Sequence, residues 1–145
     1  MTLYILDSDH LSLHQRGHEP LGKRLLATPP NQIAITATSA EELVRGRLSQ
    51  IRRASKPQKR VYAYYWFTQT LDFLHGFTVL SYDAQAEARF QSLLDQKIRI
   101  GSQDLKIAAI ALSKKATVVT RNRQDFERIT GLLLEDWSVF QALER

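Results

Sequence analysis

Short apolar runs recur along the chain, each closed by polar residues. Residues 3–6, Leu-Tyr-Ile-Leu, are the first and end at Asp7. A short apolar run rich in strand formers and bounded in this way reads as a buried strand. Residues 33–36, 77–80, 116–120 and 132–134 repeat the pattern. Between these runs the apolar period becomes helical. Asp7, Ser8 and Asp9 open one such stretch, with Asp or Ser as the N-cap. Pro29, Pro30 and Asn31 break the segment that follows. A helix opening at Ser39 puts Ala40, Leu43, Val44, Leu48 and Ile51 on one face, and residues 54–57 interrupt it. The next carries Tyr64, Phe67, Leu71 and Leu74 at helical spacing. Asp83 caps a helix running to about Asp95, and another runs from about Gln103 to Lys115. Residues 107–112 of that last helix are apolar nearly all round, which predicts burial on more than one side. A short helix is expected over residues 125–129.

Short apolar strands alternating with helices predict an α/β fold with a mainly parallel sheet. At 145 residues the chain suits one domain, spanning residues 1–145. In open sheets of this class the functional crevice lies beyond the carboxyl ends of the strands. The residues found there are acidic. Asp7 follows the first run, Glu41 and Glu42 follow the second, and Asp125 follows the fourth; Asp104 opens the buried helix. Taken singly, each has an ordinary role. Asp7 and Asp125 can cap helices, and Asp104 suits a helix N-terminus. Thr38 with Glu41, or Ser39 with Glu42, spells a capping box. Capping gives no reason for the carboxylates to converge, and converging ones repel strongly. A divalent cation resolves that repulsion. Hard oxygen ligands suit Mg²⁺ or Mn²⁺, ions that orient and activate water in phosphoryl hydrolysis.

Charge extends the picture. The net charge is +5, yet residues 43–71 hold no Asp or Glu and carry Arg45, Arg47, Arg52, Arg53, Lys56, Lys59 and Arg60. A concentrated basic segment beside an acidic crevice suits a polyanion. Arg45, Arg47, Arg52 and Arg53 are the candidate contacts to nucleic-acid phosphates; a solvated helical face followed by a loop accounts for the charge run equally well. Tyr62, Tyr64, Tyr65, Trp66 and Phe67 follow; their spacing fits a buried helix or a subunit contact better than base stacking. The absence of cysteine excludes disulfides and thiolate metal sites. No apolar run reaches membrane-spanning length and the N-terminus has no signal-peptide pattern, so a cytoplasmic protein is expected. His10, His14, His18 and His75 show no triad logic, and His10 and His14 lack the Glu of a zinc-binding H-E-x-x-H; surface or packing roles are expected for them.

Four blocks carry a family resemblance. They are residues 4–9 (Tyr-Ile-Leu-Asp-Ser-Asp), residues 39–46 (Ser-Ala-Glu-Glu-Leu-Val-Arg-Gly), residues 101–112 from Gly101 through Asp104 to Leu112, and residues 118–126 (Val-Val-Thr-Arg-Asn-Arg-Gln-Asp-Phe) with Gly131 and Leu132. In this order they resemble PIN domains, specifically the VapC-like toxins of toxin–antitoxin pairs. The resemblance implies a three-layer α/β/α domain and a Mg²⁺- or Mn²⁺-dependent endoribonuclease. It places the acidic ligands on Asp7, Glu42 and Asp104 and a fourth catalytic acid on Asp125. Asn122 and Thr120 fall in supporting places; Asp9, beside Asp7, is a further supporting candidate whose more ordinary role is helix capping. The doubled Glu departs from the family pattern and leaves Glu41 as a substitute for Glu42; Ser102 and Gln103 depart from the residues usual before the third acid. It further implies a homodimer and a small antitoxin that inserts a peptide near the active site. Rival readings are a non-catalytic RNA-binding module, a PIN nuclease outside toxin–antitoxin biology, and a receiver-like phosphoacceptor domain with Asp83 near its middle strand.

Overall fold

Alternate side chains of the two central strands serve two different cores. In the computed structural model, which describes residues 1–139, Ile5 and Val118 point into one apolar cluster while their neighbours Leu6 and Val119 point into another. The strands are β1 (Tyr4–Leu6), β2 (Ile33–Thr36), β3 (Thr78–Leu80), β4 (Thr117–Val119) and β5 (Leu133–Glu135). They form one sheet in the order β3-β2-β1-β4-β5, with every pairing parallel. Each is only three or four residues long. Burial on both faces selects continuous apolar runs over alternation, which is why the central strands were legible; the edge strands β3 and β5 leave Val79 and Leu133 exposed.

Helices complete a layer on each face. On one lie α1 (Ser8–Gln15), α2 (Glu19–Leu26), α3 (Ala37–Arg53) and α4 (Pro57–His75); their Leu11, Leu21, Leu43 and Leu74 join Leu6, Ile35 and Val119. On the other lie α5 (Ala84–Asp95), α6 (Ser102–Lys114) and the one-turn α7 (Arg123–Phe126), with Leu93, Ile107, Ile110 and Phe126 against Ile5 and Val118. Residues 107–111 of α6 are all fully buried, as the apolar run predicted. Each large side chain among them contributes about 1.5–3 kcal/mol relative to exposure. Lys115 ends α6 in the left-handed region at φ 55°, and Ala116 N–H bonds back to Ala111, turning the chain into β4. No described helix is long and apolar enough to cross a membrane.

Three local expectations are corrected. The helix after β2 starts at Ala37, two residues before Ser39, because Thr36 is the cap and its Oγ1 accepts the Ser39 N–H at 3.0 Å. Between Gly17 and Pro29 a helix, α2, forms in the segment before the Pro29–Asn31 break, where no element was assigned; Pro20 sits in its first turn, the one place a helix tolerates proline. The α4 stripe holds at Leu74 and, half-buried, at Phe67, but not at Tyr64 or Leu71. Ala63, Thr70 and Leu74 are buried, whereas Tyr64 and Leu71 are 55% and 47% exposed.

Strand order fixes where a site can form. From β1 the chain runs outward through β2 to β3, then returns across the sheet to β4 and β5. The order therefore reverses between β1 and β4, and the loops there diverge to leave a crevice.

Candidate active site

Asp7 leaves β1 at that crevice. Its backbone N–H still pairs with Val119 O at 3.0 Å, and its Oδ1 caps α1 by accepting the His10 N–H at 2.8 Å. The residue is buried, 4% exposed. Capping and site membership thus coexist, since the cap occupies one oxygen and leaves the other.

Glu42 arrives from α3. Its Oε1 accepts from Ser8 Oγ, which itself lies 3.0 Å from Ser39 Oγ. Neither capping box forms with its Glu: the cap is Thr36, and Glu42 reaches across to α1. Glu41, one residue earlier, turns outward to Arg45 and accepts from Gln103 Nε2 at 3.1 Å. That amide holds the Glu41 carboxyl below its usual range, with Arg45 adding to the effect.

Asp104 lies in the first turn of α6, and Asn122 links it to the loop after β4. Asn122 Nδ2 donates to Asp125 Oδ2 at 3.0 Å and approaches Asp104 Oδ2 at 3.4 Å. The Asn122 backbone N–H is fixed on Thr120 Oγ1 at 2.8 Å, and Thr120 is fully buried. Burial pushes the Asp104 carboxyl up to about 6, and the charges of Asp7, Glu42 and Asp125 push the same way against the Asn122 bond. The carboxylates of β1, α3, α6 and α7 therefore share one electrostatic environment, and they leave it under-neutralised.

A second donor set is adjacent. Asp7, Asp9 and His10 offer ligand atoms within 4.8 Å of one another and could hold a metal. Two of the three are already engaged. Asp9 gives both oxygens to Arg121, at 2.7 and 2.9 Å, which lowers its pKa. His10 is fully buried and its Nε2 accepts the Trp137 N–H at 3.2 Å, while Nδ1 lies 3.4 Å from Asp7 Oδ1 without a formed hydrogen bond. Asp7, Glu42 and Asp104 carry hard carboxylate oxygens, the donor type that suits Mg²⁺ or Mn²⁺.

The arginines of the basic segment differ in role. Arg45 pairs with Glu41. Arg47 turns inward: Nε donates to Thr70 at 2.9 Å, the two terminal nitrogens to Gln50 at 3.0 Å and Gln15 at 3.2 Å, and the guanidinium lies over Trp66. Arg52 and Arg53 are exposed in the last turn of α3. Arg16, Arg47 and Arg53 line a groove of about 590 Å³ that opens onto Ser8, Asp9 and Glu42. Tyr62 and Tyr65 are exposed, and Asp83 caps α5 by accepting the Ala86 N–H at 2.9 Å. Arg121 had no assigned role in the sequence reading, although it sits between the two residues singled out as Thr120 and Asn122; His10, for which a surface or packing role was expected, is fully buried.

A crevice at the switch point of a short parallel sheet, lined by four carboxylates from separate elements, defines an acidic phosphodiesterase-type centre. The PIN domain family profile matches residues 4–132. Ribonuclease VapC2 of Rickettsia felis is 31% identical over 74% of this chain and 75% of its own. The tRNA(fMet)-specific endonuclease VapC of Shigella flexneri is 29% identical over 74% and 76%. Among solved structures, VapBC2 from Rickettsia felis bound to a promoter DNA fragment superposes with a TM-score of 0.73 at 26% identity, covering 94% of this chain and 99% of that one. The chain belongs to the PIN-domain family, among its VapC ribonucleases.

Proposed function

We infer that this PIN-domain endoribonuclease hydrolyses RNA with Mg²⁺ or Mn²⁺ held by Asp7, Glu42 and Asp104, as the toxin of a toxin–antitoxin pair. The observation that carries the reading is Asp104, pushed up to about 6 by burial and by Asp7, Glu42 and Asp125. A fold does not gather four carboxylates without something to neutralise them. When bound, the cation supplies that neutralisation, activates water and steadies charge on the phosphate oxygens. The protein's part is positioning. The His10 N–H fixes one oxygen of Asp7, the Ser8 hydroxyl holds Glu42, and the Asn122 amide ties Asp104 to Asp125. Asp125 and Asn122 order the crevice, Thr120 orders Asn122, and Asp9 orders Arg121. The proton lost by the attacking water passes to a carboxylate oxygen that neither Asn122 nor Ser8 occupies. Arg52 and Arg53 face solvent and contact the RNA backbone; Arg45 can exchange Glu41 for phosphate, and Arg47 braces the groove wall.

Kinship with the chain seen in VapBC complexes supports a small antitoxin as partner. Exposed Leu26, Val61, Tyr62 and Tyr65 supply apolar surface of the kind a partner or a second copy covers in a homodimer. The site of action is the cytoplasm.

The test is cleavage of a mixed RNA pool that includes tRNA. It uses protein freed of any partner, with Mg²⁺, with Mn²⁺ and with chelator, beside Asp7→Asn. Cleavage should require the metal and fall by about a thousandfold or more in the variant. Undiminished, chelator-resistant cleavage by a folded Asp7→Asn protein would sink the reading.

A further inference from the structure

Hydrolysis of a phosphodiester builds negative charge on the non-bridging oxygens as water adds and the ester oxygen departs. Catalysts of this reaction commonly place a cationic hydrogen-bond donor beside the metal to meet that charge. Most arginines near this crevice are committed elsewhere. Arg45 is paired with Glu41, Arg47 is turned into the α1–α3–α4 junction, and Arg123 lies 3.5 Å from Glu127 along its own helix. Arg121 is different. It directly precedes Asn122, the residue that ties Asp104 to Asp125, and follows the buried Thr120 at the end of β4. Its side chain is 48% exposed, at the rim of the crevice, and its charge acts on Asp7 and Asp136.

Its orientation is set from α1. Asp9 accepts from Arg121 Nε at 2.7 Å and from Nη2 at 2.9 Å, a two-pronged clasp between elements 112 positions apart in sequence. A guanidinium has five N–H groups. The clasp uses two and leaves both on Nη1 and one on Nη2 for another anion. A half-exposed ion pair adds little to stability, so fold stability alone does not account for a clasp aimed at this rim. Fixing the guanidinium also lowers the entropy lost when it meets a substrate.

We propose that Arg121 is a catalytic residue of this ribonuclease: it donates to a non-bridging oxygen of the scissile phosphate, and Asp9 is its positioning residue. Arg121 makes and breaks no covalent bond; water adds to phosphorus, the ester oxygen leaves with a proton, and the guanidinium bears on the charge between. The proposal rests on the nuclease reading above, and the experiment separates the two.

Wild type, Arg121→Ala, Arg121→Lys, Asp9→Asn and Asp104→Asn are compared for kcat and KM on RNA and for Mn²⁺ binding by calorimetry. Arg121→Ala should lose about a hundredfold to a thousandfold in kcat with KM changed severalfold at most. Its Mn²⁺ affinity should stay equal or rise, because a cation has left the neighbourhood of Asp7. Guanidinium ion at non-denaturing concentration should restore part of the rate to Arg121→Ala and none to Asp104→Asn. Asp9→Asn should lose about tenfold, and nothing further when Arg121 is already Ala. A wild-type kcat in Arg121→Ala, while Asp104→Asn is dead, would overturn the proposal and leave the nuclease reading intact. So would a loss of rate accompanied by lost Mn²⁺ binding and no rescue, which would make Arg121 structural. Absence of metal-dependent cleavage by wild type would overturn both.

Discussion

Two charged places lie on neighbouring stretches of α3 and are built in opposite ways. At Arg47 the cation meets Thr70, Gln50 and Gln15 and lies over Trp66, so each nitrogen of the guanidinium has a partner. At the crevice, Glu42 joins Asp7, Asp104 and Asp125, and the help Asp104 receives is one long amide contact at 3.4 Å. The first place is a brace between α1, α3 and α4. The second is held in repulsion by a rigid sheet. Charge that a fold satisfies internally contributes to structure; charge that it gathers and leaves unmet is available to a ligand.

The sharpest way to break the contrast is Asp104→Asn. Cleavage should fall by roughly a thousandfold, yet the metal-free protein should become more stable. Asp104 is pushed from 3.8 up to about 6, so the folded state binds its proton more tightly than the unfolded chain does. The penalty is full above about pH 6 and fades as pH falls toward 3.8. Discounted for partial solvent screening, it is about 1–2 kcal/mol. Denaturation in chelator at pH 7.5 should favour the variant by that amount, and the difference should close near pH 4. A less stable Asp104→Asn protein at pH 7.5 would mean that the crevice is not strained.

Arg47→Ala tests the other place. It removes one of the two donors to buried Thr70, whose other is Gln15 Nε2, and the donor to Gln15 Oε1, and should cost about 1–3 kcal/mol of stability. Because the brace lies outside the cluster, kcat at saturating RNA should stay within about threefold of wild type at a temperature where the variant is folded. A large drop in kcat with unchanged denaturation would exchange the roles of the two places.

How much of this was legible follows the same division. The central strands were readable because burial on both faces demands continuous apolar runs, and Asp7, Asp104 and Asp125 were readable because strand ends and helix starts mark the crevice. Strand order was not, since nothing local says that β4 returns beside β1. The Arg47 brace was also invisible: Thr70 and Gln15 are 23 and 32 positions away, and in sequence Arg47 is one more member of a basic run. The helix α2 was hidden by Gly17, Pro20 and Gly22, residues that usually punctuate but here sit outside or within a helix closed on Leu21. Arg121 was passed over because its meaning comes from Asp9, across the chain.

The smallest expected effect settles the doubled glutamate. Glu41 and Glu42 are chemically identical neighbours, separated by about 100° around α3. That rotation gives Glu41 to Gln103 and Arg45 at the surface and Glu42 to Ser8 at the crevice. Glu41→Gln removes an exposed ion pair and should change stability by less than about 0.5 kcal/mol. Its Mn²⁺ affinity and kcat should match wild type. Glu42→Gln removes a charge that acts on Asp104, so Mn²⁺ affinity should fall about tenfold or more and cleavage with it. Calorimetric titration of both variants with Mn²⁺ decides the matter without reliance on any RNA. Loss of affinity in Glu41→Gln alone would mean that α3 presents its other glutamate to the ion, and that the Ser8–Glu42 contact is a packing detail rather than part of the site.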